Sequence, residues 1–217
     1  MRKNTVNKDL DSILSEYLKE ETAVVPNLQL PDPDLITFYK EDKDRVLWLS
    51  DQVDQDTMLF VKKIMLYNLQ DKDIPVEERK PIKLFIDTNG GSVVVMWSLI
   101  QAIKVSKTPV YTINFCAALS AGAHILASGH KRFAFPGSYV LIHSGSCQYS
   151  GTQEQAESAK KYYDKITEAA DDQLLADTKI EKKMLKKKSP FDWYLTTDEA
   201  LQYGIVDKII TDYTELI

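Results

Sequence analysis

The sequence predicts an α/β protein built from repeated strand-helix units, and three observations carry that expectation. From residue 45 onward, short β-rich runs alternate with runs at helical spacing. The chain has 217 residues, 44% of them hydrophobic, which suits one domain with a substantial core and is too short for two large ones. No internal repeat or low-complexity tract interrupts the alternation. Units of this kind imply right-handed crossovers and a mostly parallel sheet with helices packed against it.

Taken in order, residues 1–35 read as an N-terminal arm or entrance segment. Leu10, Ile13, Leu14 and Leu18 recur at helical spacing, and the prolines of VVPNLQLPDPD then forbid a continuous helix. Residues 36–217 form the predicted domain. RVLWLS (45–50) is a strand before a helix through TMLFVKKIMLYNLQ (57–70), and IKLFID (82–87) is a strand before a helix through VVVMWSLIQAIK (93–104). Between these units, the charged, proline-flanked DKDIPVEERKP (71–81) is expected on the surface. PVYTINF (109–115) leads into a helix over CAALSAGAHILAS, followed by KRFAF and YVLIH as a pair of strands. A long helix is expected from Gln153 to Leu175, with Ala156, Ala159, Tyr163, Ile166, Ala170 and Leu174 on one stripe. The basic run EKKMLKKK (181–188) reads as a solvated helix face. Finally, Thr196-x-x-Glu199 is a capping pattern for a short helix that stops at Gly204 before a last strand.

Composition narrows the function classes. A net charge of -5 gives no general attraction to nucleic acid or anionic lipid. The two cysteines, Cys116 and Cys147, have neither metal-ligand spacing nor a disulfide framework. The first residues lack a continuous apolar core, and no stretch approaches the length of a membrane span. The expectation is a soluble cytoplasmic protein.

Four local features can carry chemistry. Ser120 sits among small residues in CAALSAGAHIL (116–126). On a strand-to-helix turn its hydroxyl faces outward, the following amides are unpaired and Ala121, Gly122 and Ala123 leave room for a substrate backbone; the competing reading is close helix packing. DTNGGSV (87–93) places Gly90, Gly91 and Ser92 where a strand passes into a helix, so that backbone amides can point at an oxyanion, or simply form a tight turn. It lacks the endings that hold phosphates or dinucleotides. His143 closes the strand YVLIH at the edge where open α/β sheets place their sites, and it can equally be structural. His124 and His130 look no better placed. Asp192 stands in PFDWYLT, as an acid or as a turn residue.

Together these motifs resemble the proteolytic subunit of the Clp protease, a serine peptidase family with a crotonase-like fold and a protruding handle helix. The resemblance runs from DRVLWLSDQV (44–53) to GIVDKII (204–210), roughly three quarters of the chain. It rests on the Gly90-Gly91-Ser92 turn, the Ala117-Ala118-Leu119-Ser120-Ala121-Gly122-Ala123 context, Tyr139-Val140-Leu141-Ile142-His143, and Asp192 before WYLTTDEALQYGIVD. The sequence departs from the family pattern at Leu119 and Cys116, in the loop Asp87-Thr88-Asn89 without its usual proline, and in the Ser-Gly that follows His143.

The resemblance implies Ser120 as nucleophile, His143 as general base and later acid, and Asp192 as the group that fixes the imidazole tautomer. It implies the backbone amides of Gly91 and Ala121 as oxyanion donors, with Gly90 and Ser92 in the substrate-binding strand and loop. No metal or organic cofactor is implied, and any ATP would be used by a partner AAA+ unfoldase. Unfolded polypeptide is the implied substrate. Self-association through the handle is implied, into heptameric rings stacked as a tetradecamer, with neither nucleic acid nor membrane as a partner. Three rival readings remain: a ring-forming or regulatory paralogue that cleaves weakly or not at all, a crotonase-like acyl-CoA enzyme, and a phage-type capsid maturation protease.

Overall fold

Residues 33–216 are described by a computed structural model. The chain divides between Phe38 and Tyr39. Of the first unit only residues 33–38 are described; they open helix α1 (Pro33–Asp44), where the Thr37 hydroxyl donates to the Pro33 carbonyl at 3.0 Å. A proline in the first helical turn sacrifices no intrahelical donor. The predicted arm over residues 1–35 lies outside the described residues except at its end.

The unit from Tyr39 onward is an α/β body around a seven-stranded sheet. In chain order follow β1 (Val46–Leu49), α2 (Met58–Gln70), β2 (Ile82–Thr88), α3 (Val93–Val105), β3 (Val110–Leu119), α4 (Ala121–Ala127), β4 (Lys131–Ala134) and β5 (Tyr139–Ile142). After them come α5 (Gln153–Asp177), α6 (Lys182–Lys188), β6 (Trp193–Thr196), α7 (Thr197–Gln202) and β7 (Lys208–Ile209). Strands β1, β2, β3, β4 and β7 lie side by side, and each of these pairings is parallel. Among the described residues, only β5 with β6 is antiparallel. The main core fills the space between the sheet and its helices: Leu84 and Ile86 from β2, Leu99 and Ile103 from α3, and Ile125 and Leu126 from α4 all lie at 1% exposure or less. A continuous apolar run in β2 is what a strand covered on both faces requires. A smaller cluster on the other face includes Phe85, Ile113 and Phe133.

Four local expectations are corrected. Residues 116–119 are not helical: β3 runs to Leu119, and the helix begins only at Ala121. Their alanines favour helix in isolation, but Ala117, Ala118 and Leu119 are held extended by pairing with Tyr139, Val140 and Leu141. The strands over 131–134 and 139–142 do not pair with each other. β3 is long enough for both, holding β4 along Tyr111–Asn114 and β5 along Ala117–Leu119. The segment 71–81 is exposed over most of its length, yet Asp71 is only 2% exposed and takes a two-pronged ion pair from Arg45, both contacts at 2.6 Å. Finally, Ala121, Gly122 and Ala123 are buried, and of the three only Ala121 borders the cavity, so Gly122 and Ala123 make no room for a substrate. A side chain at Gly122 would come within 2.6 Å of the Thr88 methyl, so these residues are small because α4 lies tightly on β2.

The long helix spans Gln153–Asp177, opened by a capping box between Thr152 and Gln155. Its predicted stripe is buried only at Ala170 and Leu174, while Ala156, Ala159, Tyr163 and Ile166 remain partly open to solvent. Among the described residues, no helix is long and apolar enough to cross a membrane.

Candidate active site

Two ladder registers decide which side chains meet at the end of β3. β3 and β5 run parallel with Leu119 opposite Leu141, and the Ser120 amide donates to the Leu141 carbonyl at 2.9 Å. β5 and β6 run antiparallel with Ile142 opposite Trp193. One further step along that pair sets His143 against Asp192. Beyond the strands, the Ser144 amide donates to the Ser189 carbonyl at 2.6 Å and ties the segment after His143 to the one before Asp192.

The side chains form a line. Ser120 Oγ lies 2.8 Å from His143 Nε2, and His143 Nδ1 lies 3.2 Å from Asp192 Oδ1. The imidazole is 27% exposed and the carboxylate 59%. A hydroxyl, an imidazole and a carboxylate in this order are suited to withdrawing a proton from the hydroxyl and holding it on the ring. Of the three histidines, His143 is the one that meets Ser120. His130 accepts from the Val110 amide at 3.1 Å. His124 lies one turn into α4 and its ring N–H is directed at the Ala170 carbonyl; burial pushes its imidazole down to about 4 and keeps it neutral near pH 7.

Ser120 caps α4 in an uncommon conformation, φ 55° and ψ -116°. Positive φ in a residue with a Cβ stores strain that persists only when the surroundings enforce it. Here the enforcement is the junction itself. The Ser120 amide is bound to β5, and its carbonyl accepts from Ala123 at 3.0 Å, so the chain turns from strand to helix within one residue. That sharp turn projects the hydroxyl away from the sheet.

The glycine pair abuts the same turn. Gly90 has φ 96°, and a Cβ there would lie 2.7 Å from both the Leu119 carbonyl and the Ser120 Cβ. The Gly90 carbonyl accepts from the Val53 amide at 2.8 Å, and the Ser92 amide donates to the Val53 carbonyl at 2.7 Å. In this parallel bridge the intervening Gly91 amide is directed to the opposite edge. Among the described residues, neither the Gly91 nor the Ala121 amide has an acceptor. Ser92 caps α3, its hydroxyl accepting from the Val95 amide at 3.4 Å.

These residues line a cavity of about 1330 Å³ whose other wall comes partly from α5. Asp171 and Asp172 also line it, but Asp192 is the carboxylate at His143. Burial and the neighbouring Asp172 push the Asp171 carboxyl up to about 6. Sequence reasoning did not single out His124 as a cavity residue; its position four residues after Ser120 was the available signal.

The fold and this site define a class: an α/β protein with a mostly parallel sheet, carrying Ser, His and Asp in line at the end of a strand. The family model described as Clp protease matches residues 35–213. The chain belongs to the Clp protease family, a family of peptidases.

Proposed function

We propose that the protein is a serine endopeptidase that hydrolyses unfolded polypeptide through an acyl-enzyme. The observation that carries this reading is the 2.8 Å contact of Ser120 Oγ with His143 Nε2, with Asp192 at 3.2 Å on the ring's other nitrogen. In the proposed reaction His143 takes the Ser120 proton as the oxygen attacks the peptide carbonyl. Asp192 stabilises the resulting imidazolium without itself becoming protonated, and His143 then gives the proton to the departing amine. Water enters by the same route in reverse and releases the acyl group. The Gly91 and Ala121 amides, free of acceptors among the described residues, would hold the oxyanion. An extended peptide alongside Gly90 and Gly91 would be held by main-chain hydrogen bonds, which makes little demand on sequence. The chemistry requires no metal or organic cofactor in this reading.

Members of the family generally assemble into rings and work with unfoldases. For this chain we propose self-association through α5, supported by a stripe of alanine, tyrosine and isoleucine that stays partly open over most of the helix. Stacked heptamers enclosing the sites, loaded by an AAA+ partner that spends the ATP, are the proposed form.

The test is labelling with a serine-directed fluorophosphonate, native chain against Ser120→Ala, together with cleavage of short peptides and a mass measurement in solution. The expected result is label and turnover that disappear with Ser120, in a particle far heavier than the 24.7 kDa protomer. An assembled native protein that neither labels nor cleaves would overturn the protease reading in favour of a ring subunit without activity.

A further inference from the structure

The wall of the active-site cavity contributed by α5 carries a carboxylate with no partner. Asp171 lines the cavity together with Ser120 and His143. It is half-buried, and among the described residues no donor or cation is bonded to it. The three other aspartates on the same helix are matched: Asp164 holds Lys160 at 2.6 Å, Asp172 faces Lys182 at 3.5 Å and Asp177 holds Lys104 at 2.7 Å. A half-buried carboxylate without a counter-ion is favoured by any cation that reaches it.

The position of Asp171 puts it within the reach of a bound peptide. His124 lies four residues beyond Ser120, ~6 Å along a helix axis, and its ring N–H is directed at the carbonyl of Ala170, the residue just before Asp171. His124 is neutral near pH 7 and adds no positive charge beside Asp171; the compensation Asp171 receives is the field of Lys182, whose ammonium is bonded to Asp172 at 3.5 Å. Met96, Leu141 and Leu175 also line the cavity. Apolar walls leading to a carboxylate suit a side chain with an aliphatic stem and a cationic head.

We propose that Asp171 is a specificity-determining residue that draws a lysine or arginine side chain of the peptide into the cavity beside Ser120, an inference that rests on the protease reading above. The residue whose carbonyl is attacked is the one whose side chain enters there. The fold bonds no cation directly to this carboxylate, and the substrate supplies one.

The experiment compares kcat/KM of the assembled native protein on fluorogenic peptides that differ only in the residue before the scissile bond: arginine, lysine, glutamine or leucine. Arginine and lysine are expected to exceed glutamine and leucine by roughly tenfold to hundredfold, the range of a hydrogen bond to a charged group. In Asp171→Asn the arginine-to-glutamine ratio falls towards unity, and in Asp171→Lys glutamate becomes preferred over arginine. Glu77→Gln, an exposed acid outside the cavity, leaves the ratio where it was. Equal rates on arginine and leucine peptides in the native protein, an unchanged ratio in Asp171→Asn, or an equal loss in Glu77→Gln would each overturn the assignment while Ser120 still labels. Absence of label on native Ser120 overturns the protease reading, and this inference with it. Should the variants fail to fold, the native ratio decides alone.

Discussion

Arg45 and Ser120 share one backbone peculiarity, a φ of 55°, and no other non-glycine among the described residues has a positive φ. The two turns resolve it differently. At Arg45 the guanidinium disappears into the body, with two contacts of 2.6 Å to Asp71, a third bond to the Lys80 carbonyl at 2.9 Å and the Tyr67 ring 5.1 Å away. The Thr108 hydroxyl completes the arrangement by donating to Asp71 at 2.9 Å. Both terminal nitrogens of Arg45 and both oxygens of Asp71 are matched, and the turn is held by a structural ion pair. At Ser120 the side chain is turned into an open cavity, towards an imidazole that is itself followed by an exposed carboxylate. An equal φ therefore distinguishes nothing. The destination of the side chain separates a locked corner from a site built to react.

The largest effects should fall on the Ser120 side and be confined to activity. Ser120→Ala is expected to lower kcat by roughly 10⁴- to 10⁶-fold and to leave urea unfolding close to native. Asp192→Asn should cost up to roughly 10⁴-fold, since it both loses the charge and favours the wrong ring tautomer. Single-turnover kinetics on one peptide measures both. If Asp192→Asn turns over like the native protein, that carboxylate, 59% exposed, does not hold the ring.

The Arg45 side should show the opposite pattern. Asp71→Ala leaves the guanidinium buried without its partner and is expected to cost about 3–5 kcal/mol in urea unfolding, with kcat per folded molecule unchanged. The Arg45 guanidinium holds the Asp71 carboxyl below its ordinary value. A carboxyl lowered in the folded state stabilises fully above its unfolded value, near 3.8, and loses that stability as pH falls through the folded one. The Tm gap between native protein and Asp71→Asn should therefore be flat near neutrality and narrow at acid pH. A loss of turnover in Asp71→Ala that matches the loss at Ser120 would erase the contrast between the two turns.

Much of both turns was legible in the sequence, for unequal reasons. The alternation of β-rich and helical runs located the strand-helix units because each pattern is local. Ser120, His143 and Asp192 were legible because each ends or follows a recognisable run. What joins them was not legible: His143 meets Asp192 through the pairing of β5 with β6, residues about fifty positions apart in sequence, and no local pattern states a register. A second non-local pairing, β3 with β5, draws Ala117–Leu119 into a strand against their composition. Asp71 looked like a surface charge because its partner lies 26 residues away. Asp171, within the polar run Asp171-Asp172-Gln173, lines the cavity as Asp172 does, and is set apart by its deeper burial and by having no cation bonded to it.

A smaller effect links the cavity wall to stability. His124 is lowered to about 4 by burial, so the fold is fully stable above the unfolded value near 6.5 and loses stability as pH falls from there towards 4. The loss amounts to at most about 3 kcal/mol. Melting scans from pH 7.5 to 4.5 should fall more steeply for the native protein than for His124→Phe. Parallel curves would mean that the ring is charged without penalty, and that the wall beside Ala170 is wetter than its burial implies.

The smallest change tests the comparison most directly, because one substitution is made at both turns. Glycine tolerates positive φ at no steric cost. Ser120→Gly therefore relieves strain of about 1–3 kcal/mol, against about 0.5–1 kcal/mol for the added chain freedom and about 1 kcal/mol for the lost bond to His143. The net stays within about 1 kcal/mol of native stability, with activity gone. Arg45→Gly likewise removes a Cβ at positive φ but strands Asp71, 2% exposed, without its cation, so it should destabilise clearly while the Ser120 hydroxyl still labels. Urea unfolding and fluorophosphonate labelling of the two variants give four results, and the expected signs are opposite in both columns. Equal destabilisation by the two glycines would mean that Ser120 is held by structural bonds as firmly as Arg45, and that its strain reports packing of α4 on β2 rather than a hydroxyl set out for chemistry.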